Sequence, residues 1–425
     1  MNQGVRSGAL LRGIGYSPSE ISSCVNRSVV QEHATMASVL WTLRQRALKA
    51  PHYKLKHLAR LDERLSAHLA GLREAGPAGL RVAHDAMQDA DPGAVFTLAY
   101  LAFHAGDRPL MTKVLQVSLA DPAFGDPFVS ALAWLPASRV LPMVARLGTS
   151  ERPEFARVAL SVYAARRLDA ASLIAAVLDA RESASRSRAL RAIGETGCRR
   201  FADRVSLAVR DADPLCRLRA IEASALLQCT AAGEEALDLA GTCDERVAYA
   251  AQEIGIRCSS LERARDAIRS LVEAGRVRRA ASAIGALGDP SGVRWLLDCM
   301  HEPQHARIAA ESFCIITGAD LGYLGLKQDA LDLKEEEIHG DDADLPWPHP
   351  SRVADWWRQH EPRFPAGQRF LAGRAMSSEG LIAVLRTGYQ RDRRRAAFEL
   401  MRRESESMLF PVDERADRQL QRLAA

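Results

Sequence analysis

The chain is poor in aromatics, which make up 6% of its 425 residues. Ala and Leu dominate its apolar set instead, and small side chains let helices pack closely, so an all-α fold is favoured over a β one. No stretch approaches eighteen apolar residues, so no membrane span is expected. Neither sign of charge prevails: 57 basic against 53 acidic residues leave a formal +4. That balance argues against nucleic acid or an anionic membrane as partner. The eight cysteines form no Cys-x-x-Cys pair and no Cys–His zinc spacing. Five of them lie from Cys198 to Cys258, one per expected helix or turn, as reduced, core-filling thiols would. The phosphate-cradling Gly-x-x-x-x-Gly-Lys-Ser/Thr, a Gly-x-Gly-x-x-Gly after a strand, the Gly-x-Ser-x-Gly elbow and His-Glu-x-x-His are all missing. His57 and His68 stand three helical turns apart and cannot share one metal. No enzyme, cofactor or metal is therefore expected. Residues Met1–Ser23 lack the apolar core of a secretion signal, and the cytoplasm is the expected compartment.

What the chain does have is a repeated phrase. The run from Arg188 to Gly197 (Arg-Ala-Leu-Arg-Ala-Ile-Gly-Glu-Thr-Gly) returns from Arg279 to Gly288 as Arg-Ala-Ala-Ser-Ala-Ile-Gly-Ala-Leu-Gly. Weaker copies start at Arg157, Arg219, Arg246 and Arg307. Successive differences between those Arg numbers are 31, 31, 27, 33 and 28. A period near thirty made of helix formers reads as a right-handed α-solenoid of HEAT-like helical hairpins. The Asp-Pro pairs at Asp91, Asp121, Asp126, Asp213 and Asp289 mark helix starts. Gly197 and Gly288 sit where helices need a left-handed residue to end. The second helix of each unit then falls at 138–147, 170–180, 201–210 and 291–301. The recurring Arg is read as structural, pairing with acids such as Asp213 or Asp244 across the stack.

Five regions follow. Residues 1–30, broken by glycines, read as a flexible arm. Residues 31–90 read as an N-terminal helical cap, with a first helix from near Thr35. Its second helix carries a stripe of Leu55, Leu58, Leu61, Leu65, Leu69 and Leu72, with Lys56, Arg60, Asp62, Glu63 and Arg64 on the other side. Residues 91–319 are the repeat array. Residues 320–375 are an irregular insertion. Its acidic run Asp329–Asp344, with His339 nearby, does not fit an EF-hand and reads as a solvated loop. The prolines after Leu345 delay any helix until about Ser351. Trp347, Trp356 and Trp357 either anchor a partner or bolt the insertion onto the last repeat. Residues 376–425 resume the array as a last hairpin and tail. There Arg391, Arg393, Arg394, Arg395, Arg402 and Arg403 read as a solvated face or a contact for the acidic insertion.

The phrase Ala-Ile-Gly-Ala-Leu-Gly-Asp-Pro at 283–290 resembles the short HEAT-like repeats of phycobilisome lyases. The segments His33–Trp41, Ala50–Tyr53, Leu58–Arg73, Thr317–Leu321, Leu345–Pro348, Trp356-Trp357 and Gly367–Gly373 resemble a bacterial HEAT-repeat family often encoded beside type VI secretion genes. The resemblance carries no catalytic residue. It implies a cytoplasmic adaptor or chaperone whose protein partner is a secreted effector or spike component. An immunity-type inhibitor of a neighbouring toxin and a HEAT-like DNA-acting enzyme are the alternatives. The candidate contact groups are Arg199, Arg200, Asp203 and Arg204 on one second helix, together with the three Trp.

Overall fold

The structure is a computed structural model that describes residues 26–87, 91–229, 231–329, 342–404 and 407–424. Among the described residues the fold is all-α, with 22 α-helices and one two-stranded hairpin. The helices are α1 (Arg27–Ala47), α2 (Leu55–Glu74), α3 (Pro77–Ala86), α4 (Pro92–Ala105), α5 (Arg108–Ala120), α6 (Gly125–Trp134), α7 (Ala137–Gly148) and α8 (Pro153–Ala165). Then come α9 (Ala171–Leu178), α10 (Ser183–Thr196), α11 (Ala202–Ala208), α12 (Pro214–Leu226), α13 (Ala232–Thr242), α14 (Glu245–Cys258), α15 (Leu261–Glu273), α16 (Val277–Leu287), α17 (Val293–Cys299) and α18 (Pro303–Thr317). After them lie α19 (Pro350–His360), β1 (Phe370–Leu371), β2 (Arg374–Ala375), α20 (Ser378–Thr387), α21 (Gln390–Met401) and α22 (Ala416–Ala424). Two compact units divide the chain. One takes Met1–Lys49, Leu55–Leu168 and Asp413–Ala425, the other Ala50–Lys54 and Asp169–Val412.

In the first unit α1 starts at Arg27, not near Thr35, because Asn26 caps it: the Asn26 side chain accepts from the Ser28 amide at 3.0 Å. Val30, Ala34, Ala37, Leu40 and Trp41 give it a buried face from its first turn onward. On α2 the stripe residues Leu55, Leu58, Leu65, Leu69 and Leu72 are buried, each worth about 1.5–3 kcal/mol of transfer free energy. Asp62 departs from the expected outer face. It is buried, and its Oδ1 accepts from Arg44 Nε at 2.6 Å while its Oδ2 accepts from the Ala416 amide at 2.7 Å. Helix α4 is buried on every side along Gly93–Phe103, since α1, α3, α5 and α6 all pack on it.

The second unit repeats one contact. Helix α10 packs on α12, α12 on α14, α14 on α16, and α16 on α18, while α11, α13, α15 and α17 each lie against a neighbouring first helix. This neighbour-to-neighbour packing fits a solenoid. The repeated phrase explains its closeness. A methyl group on Gly194 would meet Ala223 Cα at 3.1 Å, and one on Gly285 would meet Ser312 Cβ at 2.9 Å. The recurring Ile-Gly step is thus where one first helix touches the next. Four of the five Asp-Pro aspartates cap as expected: Asp91, Asp121, Asp213 and Asp289 each accept a backbone amide at a helix start. Asp126 instead sits inside the first turn of α6. Gly197 and Gly288 end their helices with φ of 63° and 77°.

The C-terminal hairpin does not simply extend the stack. Helix α21 lies against α14 and α18, through Arg257–Glu399, Arg395–Glu253 and Arg391–Glu311 at 3.3, 3.2 and 3.2 Å. Arg393 is fully buried and donates to Leu385 O and Gln390 Oε1. Of the arginines expected on a solvated face, Arg391, Arg395 and Arg402 therefore form an ionic seam and Arg393 is buried, while Arg394 and Arg403 are exposed. Residues 369–373 run past the ends of three first helices: Arg369 donates to Arg257 O and Leu287 O, Phe370 N to Gly288 O, Ala372 N to Ile315 O and Gly373 N to Ile316 O. Helix ends leave carbonyls without intrahelical donors, and this strap supplies them.

Candidate functional site

The four charged residues proposed from the sequence come at the start of the second helix of one repeat, all exposed. Arg199 and Arg200 form a 3-10 turn, and Asp203 and Arg204 open α11. Arg199 is engaged: its Nη1 donates to Leu227 O at 3.0 Å, a carbonyl at the end of α12 where a cation is favoured. Arg204 pairs with Asp179, and the Arg200 guanidinium stands 5.2 Å from the Phe201 ring. Beside them Leu207 is 74% exposed. The sequence reading missed it, because one leucine in an amphipathic run is assigned to the core by default.

The three Trp do not form one exposed platform. Trp347 and Trp357 are 8% and 4% exposed, and Trp356 is half-buried. Phe313 of α18 meets Trp356 and Trp357 edge-on at 5.7 and 6.1 Å. Arg307 stands 5.0 Å from the Trp347 ring and donates to Leu345 O and Ala343 O, both at 2.8 Å. As partner anchors Trp347 and Trp357 are thus hidden. Trp357 on Phe313 and Trp347 under Arg307 bolt the insertion onto the last repeat, since burying an indole gains more than leaving it in water.

The recurring arginines find different partners, so they form no uniform ladder. Arg188 pairs with Glu195 and Arg219 with Glu222, while Arg279 donates to Gln252 Oε1 and Ala240 O. Asp213 and Asp244, expected to pair with them, cap their own helices at the Cys216 and Val247 amides. Of the acidic run, Asp332, Glu335, Glu336, Glu337, His339 and Asp341 lie outside the described residues. Asp342 is buried and takes a bidentate pair from Arg278 at 2.8 and 2.9 Å. The described cysteines are free thiols, and burial pushes Cys216 up to about 12 and Cys258 and Cys299 up to about 11. Thiols held so high are poor nucleophiles.

The second unit also holds a cleft of about 480 Å³ that the sequence reading did not find. Stretches distant in sequence make it: the connector at Pro51–Lys54, the end of α18 with the turn that follows, the α20–α21 junction, and between them Ala343–Pro346 with Ala372 and Arg374. Pairing brings them together. Gln390 N donates to Tyr53 O at 2.8 Å, and Lys54 and Tyr389 form an isolated antiparallel bridge. At the centre the Tyr389 hydroxyl donates to Asp320 Oδ2 at 2.5 Å, while Asp320 Oδ1 accepts from the Tyr323 amide at 3.0 Å. The Lys54 ammonium lies 4.6 Å from the Tyr389 ring. Burial and the Asp320 carboxylate hold the Tyr389 phenol far above its usual range, so it stays protonated. Burial would raise Asp320, but bonds from Tyr389 and from the backbone of Tyr323 and Gly322 keep it below the ordinary carboxylate value. Asp392 also lines the cleft; burial drives it up to about 6 despite Arg395, with Glu311 adding to the rise. Among the described residues no three His, Cys, Asp or Glu side chains cluster as metal ligands would, and no helix is long and apolar enough to cross a membrane. No family model, curated protein or solved structure matches the chain.

Proposed function

We propose that the chain is a non-enzymatic protein-binding scaffold that engages its partner through the second-helix side of its repeats. The observation that carries this is Leu207, 74% exposed on α11 and neighboured along the chain by Arg200, Asp203 and Arg204. An apolar contact ringed by charge is the arrangement in which a partner excludes water from the centre and reads charge at the rim. The system served comes from the family resemblance alone: a cytoplasmic adaptor or chaperone for a type VI secreted effector or spike component.

The test is affinity purification of the tagged chain from its native host, beside a variant carrying Arg200→Glu, Arg204→Glu and Leu207→Asp. Arg199 is left intact because it caps α12. One enriched protein in the wild-type eluate, lost in the variant at unchanged melting temperature, supports the reading. A partner retained by the folded variant refutes it for this helix. If the enriched protein is a toxin, and deleting this gene is lethal only while the neighbouring gene remains, the partner relationship is that of an immunity protein. Steeply salt-dependent DNA binding would instead favour the DNA-acting alternative.

A further inference from the structure

We infer that the cleft between the connector, the end of α18 and the α20–α21 junction binds a small zwitterion, a free amino acid or short peptide carrying an ammonium and a carboxylate. The inference is independent of the scaffold reading, whose surface is on α11. A volume of about 480 Å³ is at the lower end of small-molecule sites. Its lining mixes apolar side chains, Ile315, Leu321, Leu345 and Val384 among them, with charged ones. Much of its charge is already spent internally: Arg391 pairs with Glu311 at 3.2 Å, and Tyr389 donates to Asp320.

What is left over has both signs. Lys327 and Arg374 line the cleft, are exposed, and have no ion-pair partner among the described residues. The exposed Asp344 lines it too and shares its field with Arg307. An anion alone would meet Lys327 and Arg374 but leave the carboxylates of the walls facing it. A cation alone would meet the reverse. A ligand with both charges compensates each, and a site that hydrogen-bonds a charged group discriminates strongly against analogues lacking it.

The experiment is calorimetric titration of the full chain with the L-amino acids, glycylglycine and trialanine, with acetate and methylammonium as single-charge probes. Concentrations run to about 10 mM, where even a millimolar site fills. At least one zwitterion is expected to bind, with acetate and methylammonium each at least roughly tenfold weaker. The variant with Lys327→Ala and Arg374→Ala should lose about tenfold or more in affinity. Asp344→Asn should weaken the ammonium end separately. These side chains are exposed, so the variants should melt with the wild type, and Leu207→Asp should leave the affinity unchanged. Absence of binding by every zwitterion, equal binding of acetate, or affinity kept within about twofold in both charge variants would overturn the inference.

Discussion

Replacing Asp62 with Ala is expected to release the C-terminal helix from the first unit. The Asp62 carboxylate joins three segments. Arg44 Nε on α1 donates to it at 2.6 Å and the Ala416 amide at the start of α22 at 2.7 Å, while Arg44 Nη2 reaches Glu414 O at 2.9 Å and Asp413 O at 3.1 Å. The side chains of both ions are nearly sealed from water, 1% and 8% exposed. Removing one member of a buried pair leaves the other charge uncompensated, which costs about 3–5 kcal/mol. The orphaned Ala416 amide is part of that cost. At 1.4 kcal/mol per factor of ten, protection of the 413–424 amides should fall by roughly a hundred- to a few-thousand-fold. Hydrogen exchange read by mass spectrometry on C-terminal peptides is the assay. It reports the local opening directly, which a single denaturation curve for a two-unit chain would not. The double variant Arg44→Met, Asp62→Leu removes both charges and should recover much of the loss, because a buried ion pair stabilises little relative to an apolar pair. Protection within about threefold of wild type in Asp62→Ala, or a double variant whose loss is the sum of the two singles, would refute the reasoning.

Gly288→Ala should cost more than about 2 kcal/mol, and lower the melting temperature by several degrees in a thermal scan, since its Cβ would lie 2.3 Å from Phe370 O at a φ of 77°. Trp357→Ala should cost about 3–5 kcal/mol and Trp356→Ala distinctly less, as denaturant midpoints would show, so loss of a partner in a Trp357 variant must be read against its stability. Asp392 binds its proton more tightly folded, near 6, than at its ordinary 3.8. Its contribution to stability therefore grows as pH falls from above 6 to below 4, by at most about 3 kcal/mol. Asp392→Asn removes that dependence, and urea midpoints for the two proteins from pH 7 to 4 should diverge in the wild type's favour. Glu253 works in the opposite sense: against the desolvation it feels beside α21, Arg395 and Arg257 hold it at about 2 although its side chain is 41% exposed, so its stabilisation is lost as pH falls below 4.5, in both proteins alike.

The repeat array was legible because its signals are local. Asp213 and Asp289 face amides two or three residues on, Gly197 and Gly288 close their own helices, and the leucine stripe of α2 is set by 3.6-residue geometry. The start of α1 was missed by several residues, since Asn26 is a cap only once Val30 and Ala34 have something to pack on.

Residue type and spacing alone, then, determined the all-α class, the thirty-residue rhythm, the caps and the small residues at the helix contacts, because each depends on neighbours within a few turns. Only the tertiary structure decided the fate of the charges. Asp62 and Arg393 carry no sequence mark that separates them from the exposed Glu63 and Arg394, yet the first two are buried and paired. The cleft is of the same kind. Lys54, Asp320 and Tyr389 share it because chain pairing at Lys54 and Tyr389 closes a separation of more than three hundred residues. Contacts at that range are set by which surfaces are left to cover once the local helices have formed, and no period in the sequence encodes them.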